Sequence, residues 1–384
     1  MKVAKLECWT VRVPYRHDER SALVSRGGVS DVLVKLTTDD GLVGWGECTR
    51  AADVAGIESA VRAMAPIVLG RDPWQREAIR RDVSIAGGWQ FQAMTGNFAY
   101  AGIDMALWDI CARAAGQPLY NLLGGAVRDS VDYYYYLHWD TPEGMAAQGR
   151  AGIAAGYRVF YLKVGVDTAA EEAMLVALRE AIGPDALIRI DTNQAWTVPQ
   201  AVATLRRWHD LVGLDFAEAP VPVHPESLML DVKARHPVPL CVNEGMWTVQ
   251  DATRVIQSRC GDYLCFSPYW VGSIADFMRL AALAEHHGWL VCKHTHGELG
   301  LTAALGQHLM LAVPNATIGH QQTAQVMAGD ILAEPLPIAT GPTWARSDAP
   351  GLGVTVDEDK VAAFHEDYRR LGEHPVYGDR FGTK

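Results

Sequence analysis

The chain has 384 residues, 49% hydrophobic and 21% charged, with a mean hydropathy of −0.01, a profile that excludes disorder and fits two domains or one barrel with additions. A formal net charge of −11, with no stretch that clusters Lys and Arg, excludes nucleic acid as an expected partner. No apolar run approaches the roughly 18 to 20 residues of a membrane span, and the opening MKVAKLECWTVRVP alternates like a strand rather than a secretory signal, so a soluble, cytoplasmic protein is expected.

In chain order, residues 2–14, 30–38 and 42–48 predict three strands, the last two joined at the turn signal Asp39-Asp40-Gly41. From Ala52 the period becomes helical, with segments near 55–69, 73–85 and 97–115. This order predicts an α+β domain over residues 1–128. From Val131 short β-rich runs alternate with amphipathic helical stretches, the strand candidates being 131–137, 158–164, 187–191, 214–218, 239–244, 262–266, 289–294 and 316–320. Eight such units predict a (β/α)8 barrel over 129–329 rather than a doubly wound sheet, because no G-x-G-x-x-G opens any helix. The Pro- and Gly-rich tail, about 330–384, is expected to run back and complete the first domain. Seven scattered cysteines without a C-x-x-C pair argue against a disulfide framework or a structural zinc site, and most read as buried small hydrophobes.

Three acids each end a strand candidate: Asp191 in LIRIDTNQ, Glu218 in LDFAEAP and Glu244 in PLCVNEG, spaced 27 and 26 residues apart. That spacing is one βα unit each time, so a barrel brings all three to the carboxyl rim. One such acid is more often a helix cap or a surface charge. Three at one barrel period call for a cation, and an all-oxygen set suits Mg2+. Asn193, two residues beyond Asp191, would face the same rim and orient a ligand, or else serve as a turn residue. Lys163 interrupts the apolar run of the second strand candidate; it either snorkels to solvent or faces the cation, where a lowered pKa would make it a general base. His294, in GWLVCKHTHGELG, is the matching acid/base candidate on the seventh strand.

These residues, together with GLVGWGE, AYAGIDMALWDICARAAGQPLYNLLGG, YLKVG, VGSI and PGLGV, resemble the enolase superfamily, and within it the mandelate racemase/muconate lactonizing enzyme-like, acid-sugar dehydratase branch. The resemblance implies an α+β cap over a Mg2+-carrying barrel, assembled as a homo-oligomer, dimer or octamer. It implies Asp191, Glu218 and Glu244 as metal ligands, with Lys163 and His294 as the acid/base pair. Three positions depart from the family pattern. Tyr161 replaces the first lysine of K-x-K, Ser267 replaces the strand-6 acid that pairs with the histidine, and Gln321 replaces the strand-8 acid. All three are candidate substrate contacts. Ser267 also stands where the muconate-lactonizing type has a lysine, which leaves the Lys/His pair of racemases and dehydratases.

The implied reaction removes the proton α to a small-molecule carboxylate and stabilises the enediolate, foremost in dehydration of an acid sugar to a 2-keto-3-deoxy acid, with His294 protonating the departing hydroxyl. A racemase, epimerase or cycloisomerase using the same enediolate is the alternative, followed by an impaired barrel that only binds a ligand. Residues 15–30 are expected to form a specificity loop whose Arg16, His17, Arg20 and Arg26 bind hydroxyls or a distal carboxylate, unless they are plain solvated surface. Trp89, Trp139 and Trp247 are expected to wall the pocket or simply to pack.

Overall fold

The structure, a computed structural model, describes residues 1–49, 53–87 and 93–375. β1 (Val3–Arg20), β2 (Ser25–Thr38) and β3 (Val43–Cys48) form an antiparallel sheet in that order. The expected loop at 15–30 is instead mostly strand. Pairing continues to Arg20↔Ser25 after a register shift between Pro14 and Glu19, and only Ser21 to Val24 turn the chain. The Ser21 hydroxyl holds that turn by accepting from the amides of Leu23 (3.2 Å) and Val24 (3.0 Å). The turn at Asp39-Asp40-Gly41 is as expected, with Gly41 at φ 88°.

The helices α1 (Val54–Val68), α2 (Arg76–Gly87) and α3 (Ala93–Ala114) follow. GLVGWGE proves to be a packing motif. A Cβ on Gly46 would drive into the carbonyl oxygen of Gly102 in α3, and one on Gly44 into that of Ala106. Its glutamate reaches further, since Glu47 accepts from the amides of Leu299 (2.8 Å) and Thr302 (2.9 Å) at the start of a barrel helix. Gly46→Ala is expected to cost about 3 kcal/mol, the upper end of overpacking, because backbone rather than a flexible side chain must give way. Guanidinium unfolding curves would show this as a lowered midpoint with an unchanged slope.

After α4 (Leu119–Leu122), β4 (Ser130–Asp132) and β5 (Tyr135–Leu137) split the first strand candidate of the barrel. The units that follow are α5 (Pro142–Ala154), β6 (Val159–Lys163), α6 (Thr168–Ile182), β7 (Leu187–Asp191), α7 (Val198–Val212), β8 (Leu214–Glu218) and α8 (Ser227–Lys233). Next come β9 (Leu240–Val242), α9 (Val249–Ser258), β10 (Tyr263–Phe266), α10 (Pro268–Val271), α11 (Ile274–His286), β11 (Leu290–Lys293) and α12 (Gly300–Ala312). β5 to β11 form one parallel sheet in sequence order. The eighth candidate, 316–320, closes the barrel by isolated bridges rather than as a continuous strand. Thr317 and Gln321 donate to the carbonyls of Val291 (2.9 Å) and Lys293 (3.1 Å), while His320 exchanges bonds with Asp132 (2.9 Å) and Tyr134 (3.1 Å).

The tail touches both parts of the chain. β12 (Thr343–Ala345) pairs with β4, and α13 (Glu358–Leu371) packs on β1, with Glu358 on Lys35 (2.6 Å) and the His365 ring on the carbonyl of Thr10 (2.7 Å). All seven cysteines are free and buried, as expected. Among the described residues no helix is long and apolar enough to cross a membrane.

Candidate active site at the carboxyl ends of the barrel strands

Strand register assembles the site. Lys163, Asp191 and Glu218 end β6, β7 and β8 and are successive in-register partners, so their side chains meet at one rim. Glu244 follows β9 by two residues. Asn193 ties it in, its amide nitrogen donating to Asp191 Oδ2 (3.1 Å) and Glu244 Oε1 (2.8 Å). The chain reaches this arrangement through left-handed backbone at non-glycine positions: Asn193 (φ 46°), Gln194 (φ 65°) and Ala219 (φ 41°). Each costs on the order of 1 kcal/mol or more. Bonds from Asn193 N to Asp191 Oδ1 (2.8 Å) and from Gln194 N to the carbonyl of Ala219 (2.7 Å) hold it there.

The acids are crowded, with Asp191 and Glu218 buried and Glu244 partly so. Glu218 is pushed well up by burial and then by the charge of Asp191, and Glu244 is pushed up to about 7 by the same two causes in the same order. Glu218 is held by Asn243 Nδ2 (2.8 Å) and Gln321 Nε2 (2.7 Å). Glu244 Oε2 is buried without a hydrogen-bond partner among the described residues. An unsatisfied carboxylate oxygen beside two further carboxylates is a costly arrangement that a hard cation relieves, so this donor set fits Mg2+.

Lys163 Nζ lies 2.7 Å from Asp191 Oδ2 and 3.3 Å from Asn193 Oδ1. Burial by itself would depress its pKa, but the carboxylates of Asp191, Glu19 and Glu218 outweigh burial and push it up. The expected lowering is therefore not seen at the bare carboxylates; it requires their charge to be neutralised. The departures from the family pattern also find places. Tyr161 donates its hydroxyl to Asp191 Oδ2 (2.8 Å) and stacks on Tyr134 at 4.5 Å. Gln321 uses its other end to accept from Thr295 N (3.1 Å). Ser267 donates to the carbonyl oxygen of His294 (2.6 Å). All three, expected as substrate contacts, also hydrogen-bond within the protein, each meeting the need of a buried neighbour.

His294 sits one residue beyond β11 and is buried. Its Nδ1 meets the Trp270 indole nitrogen at 2.9 Å and the Tyr269 hydroxyl at 2.7 Å. Burial, then His296 and Lys163, depress it well below the usual imidazole range. Trp247 stacks on Trp270 at 4.3 Å. Trp139 donates its indole N–H to the carbonyl of Lys163 (2.9 Å). Both therefore pack beside the site, and Trp89 lies outside the described residues.

The basic residues of the β1–β2 hairpin separate. Arg26 is buried, ion-paired with Glu19 and bonded to the carbonyl of His296 (3.2 Å). Arg20 is exposed and lies 4.7 Å over the Trp139 ring, at the edge of a cleft of about 370 Å3 lined also by Ser21, Val24 and Gly165. His17 stacks on His138. Arg16 is exposed on a different cleft with Asp330 and Lys360, and it falls within the register shift between Pro14 and Glu19.

Glu19 is the residue that sequence reasoning missed. Its Oε1 accepts from the Tyr136 hydroxyl (2.9 Å) and lies 4.0 Å from Lys163 Nζ. No periodicity pointed to it, because the register shift before Glu19 breaks the alternation of β1. Burial alone would raise its pKa, yet Arg26 and then Lys163 hold it down to about 2. A depressed carboxylate adds stability above its unfolded value of about 4.5 and loses it as the pH falls toward about 2. Denaturant unfolding should show that acid limb in the wild type and a reduced one in Glu19→Gln. Arg26→Ala, which strands the carboxylate, should cost about 3 kcal/mol near neutrality.

Comparison with known proteins finds similarity over most of the chain. The family model described as enolase C-terminal domain-like matches residues 144–360, and that of the mandelate racemase / muconate lactonizing enzyme N-terminal domain matches residues 5–124. The chain is 30% identical to the L-Ala-D/L-Glu epimerase of Bacillus subtilis (strain 168), over 92% of this chain and 97% of the relative. It is 30% identical to a D-galactonate dehydratase family member of Streptomyces bingchenggensis, over 89% and 91%. A crystal structure of an enolase from Streptomyces coelicolor, titled a putative sugar isomerase, superposes with a TM-score of 0.88 at 31% identity, over 97% and 99%.

Proposed function

Since the chain belongs to the enolase superfamily, in its mandelate racemase/muconate lactonizing enzyme-like group, and is thereby an enzyme of the lyase or isomerase kind, we propose that it dehydrates an acid sugar to a 2-keto-3-deoxy acid. The observation that carries this reading is one constellation: two buried carboxylates and a partly buried third, Glu244, with an unpartnered oxygen, a lysine against them, and an imidazole just beyond β11, with four strands of the sheet between it and β6. Asp191, Glu218 and Glu244 would hold Mg2+, which when bound supplies positive charge to the substrate carboxylate as its α-proton leaves.

Lys163 takes that proton on Nζ, and Asn193, spanning Asp191 and Glu244, keeps the acids in place. Tyr161 and Gln321 do the same from beneath, each donating to one carboxylate. Ser267 supports dehydration over lactonization, since it places a hydroxyl where the latter type has a second lysine. The epimerase relative supports a second reading, epimerisation through the same proton abstraction. We also propose that residues 1–128 with about 330–384 form a cap over the barrel 129–329, and that the protein is a cytoplasmic homo-oligomer, dimer or octamer. Packing of α13 on β1 supports the first of these.

A panel of hexonates, pentonates and aldarates with Mg2+ and a semicarbazide assay for 2-keto acids tests the reaction. Keto-acid formation is the expected result. Deuterium uptake from D2O without keto acid would replace dehydration by epimerisation.

A further inference from the structure

We propose that Trp270 is a positioning residue that holds His294 as the neutral tautomer with its proton on Nε2, so that His294 donates a hydrogen bond and the proton transfers fall to Lys163. The consequence for chemistry rests on the proposed proton abstraction; the tautomer does not. An indole N–H donates and never accepts. At 2.9 Å from Nδ1, it demands a lone pair there, and a neutral ring with a bare Nδ1 carries its proton on Nε2. The Tyr269 hydroxyl, 2.7 Å from the same nitrogen, rotates to donate or to accept and so does not choose between tautomers.

An acid in place of Ser267 would demand the opposite, a proton on Nδ1, but the serine hydroxyl is turned to the backbone carbonyl of His294. The charged groups facing the ring also oppose a second proton. Lys163, Lys293, Arg26 and the His296 ring all act against the imidazolium, and the carboxylates nearby are engaged elsewhere, Glu19 on Arg26 and Glu298 on Lys293.

An imidazole protonated on Nε2 has no lone pair there with which to act as a base. The α C–H bond therefore breaks toward the Lys163 amine, and its electrons spread into the carboxylate. In dehydration the β C–O bond then breaks, the Lys163 ammonium returns its proton to the departing hydroxyl, and water leaves. Lysine ends neutral as it began, and His294 contributes a hydrogen bond with no net transfer. This replaces the expected role of His294 as the proton donor. Removal and return on one side of the substrate suit elimination and do not suit a two-base inversion.

Long-range proton–nitrogen NMR of the full-length protein labelled with 15N-histidine, with His294→Gln to assign the ring, tests the tautomer without any substrate. The wild type should show a pyridine-like Nδ1 and a pyrrole-like Nε2 that do not titrate from roughly pH 5 to 8. Trp270→Phe, which keeps an aromatic ring but removes the N–H, should let the Nδ1-protonated tautomer appear, seen as a partly pyrrole-like Nδ1, while Tyr269→Phe should match the wild type. A pyrrole-like Nδ1 in the wild type, or a Trp270→Phe spectrum identical to it, overturns the proposal. If Trp270→Phe fails to fold, the wild-type spectrum decides alone. Should the ring show the stated tautomer while no acid of the panel reacts or exchanges, the reaction is wrong and the role of Trp270 stands.

Discussion

Lys163→Ala is expected to lower turnover by roughly 10^2- to 10^4-fold, the range for removing a positioned general base, while the protein remains folded. The fold should survive because Asp191 does not depend on the ammonium alone. It keeps the Tyr161 hydroxyl (2.8 Å), the Asn193 amide N–H (2.8 Å) and the Asn193 side chain (3.1 Å). A carboxylate with three remaining donors is not stranded in the way that an isolated buried charge would be. Deuterium exchange at the α-carbon should fall with turnover, since both require the same proton removal. Unfolding temperature, measured alongside, separates loss of chemistry from loss of structure. Wild-type turnover in the variant would remove Lys163 from the reaction.

Chelation of the divalent ion is the second large effect. EDTA should abolish turnover, and Mg2+ restored at about 100 times its dissociation constant should stabilise the fold by about 2.7 kcal/mol. Glu244→Gln separates the binding of metal from the cost of its absence. The amide oxygen still accepts from Asn193, so the local bond survives, but a negative charge and the unpartnered oxygen are gone. The variant should therefore be at least as stable as the wild type without metal, because a crowded, partly buried carboxylate has been neutralised. With Mg2+ its unfolding curve should barely move. A Mg2+ shift equal to that of the wild type would mean that Glu244 is not a ligand.

Much of this was legible in the chain because it is periodic. Strands that end in an acid at intervals of 27 and 26 residues place those acids on consecutive barrel strands whatever else the fold does, and the observed register Lys163↔Asp191↔Glu218 follows that arithmetic. GLVGWGE was legible as a family motif, though not for its reason. Only the structure shows that its glycines admit the backbone of α3 and that Glu47 caps a helix of the barrel. Arg16, Arg20 and Arg26 were indistinguishable as a basic run, and the folded hairpin sends Arg26 inward opposite Glu19 while Arg20 and Arg16, the latter within the register shift, stay exposed.

By itself, then, the amino-acid order determined the family, the barrel with its α+β companion, the three acids and the lysine, because repeat length and strand alternation are local properties of the chain. Tertiary structure alone decided which hydrogen-bonding needs each side chain meets. Glu19 reaches Lys163 across 144 residues of sequence, Trp270 meets His294 across 24, and Gln321 turns to Glu218 across 103. Such partners are chosen by burial, where an unmet donor or acceptor is costly and the nearest complementary atom wins, and no sequence interval encodes which atom that will be.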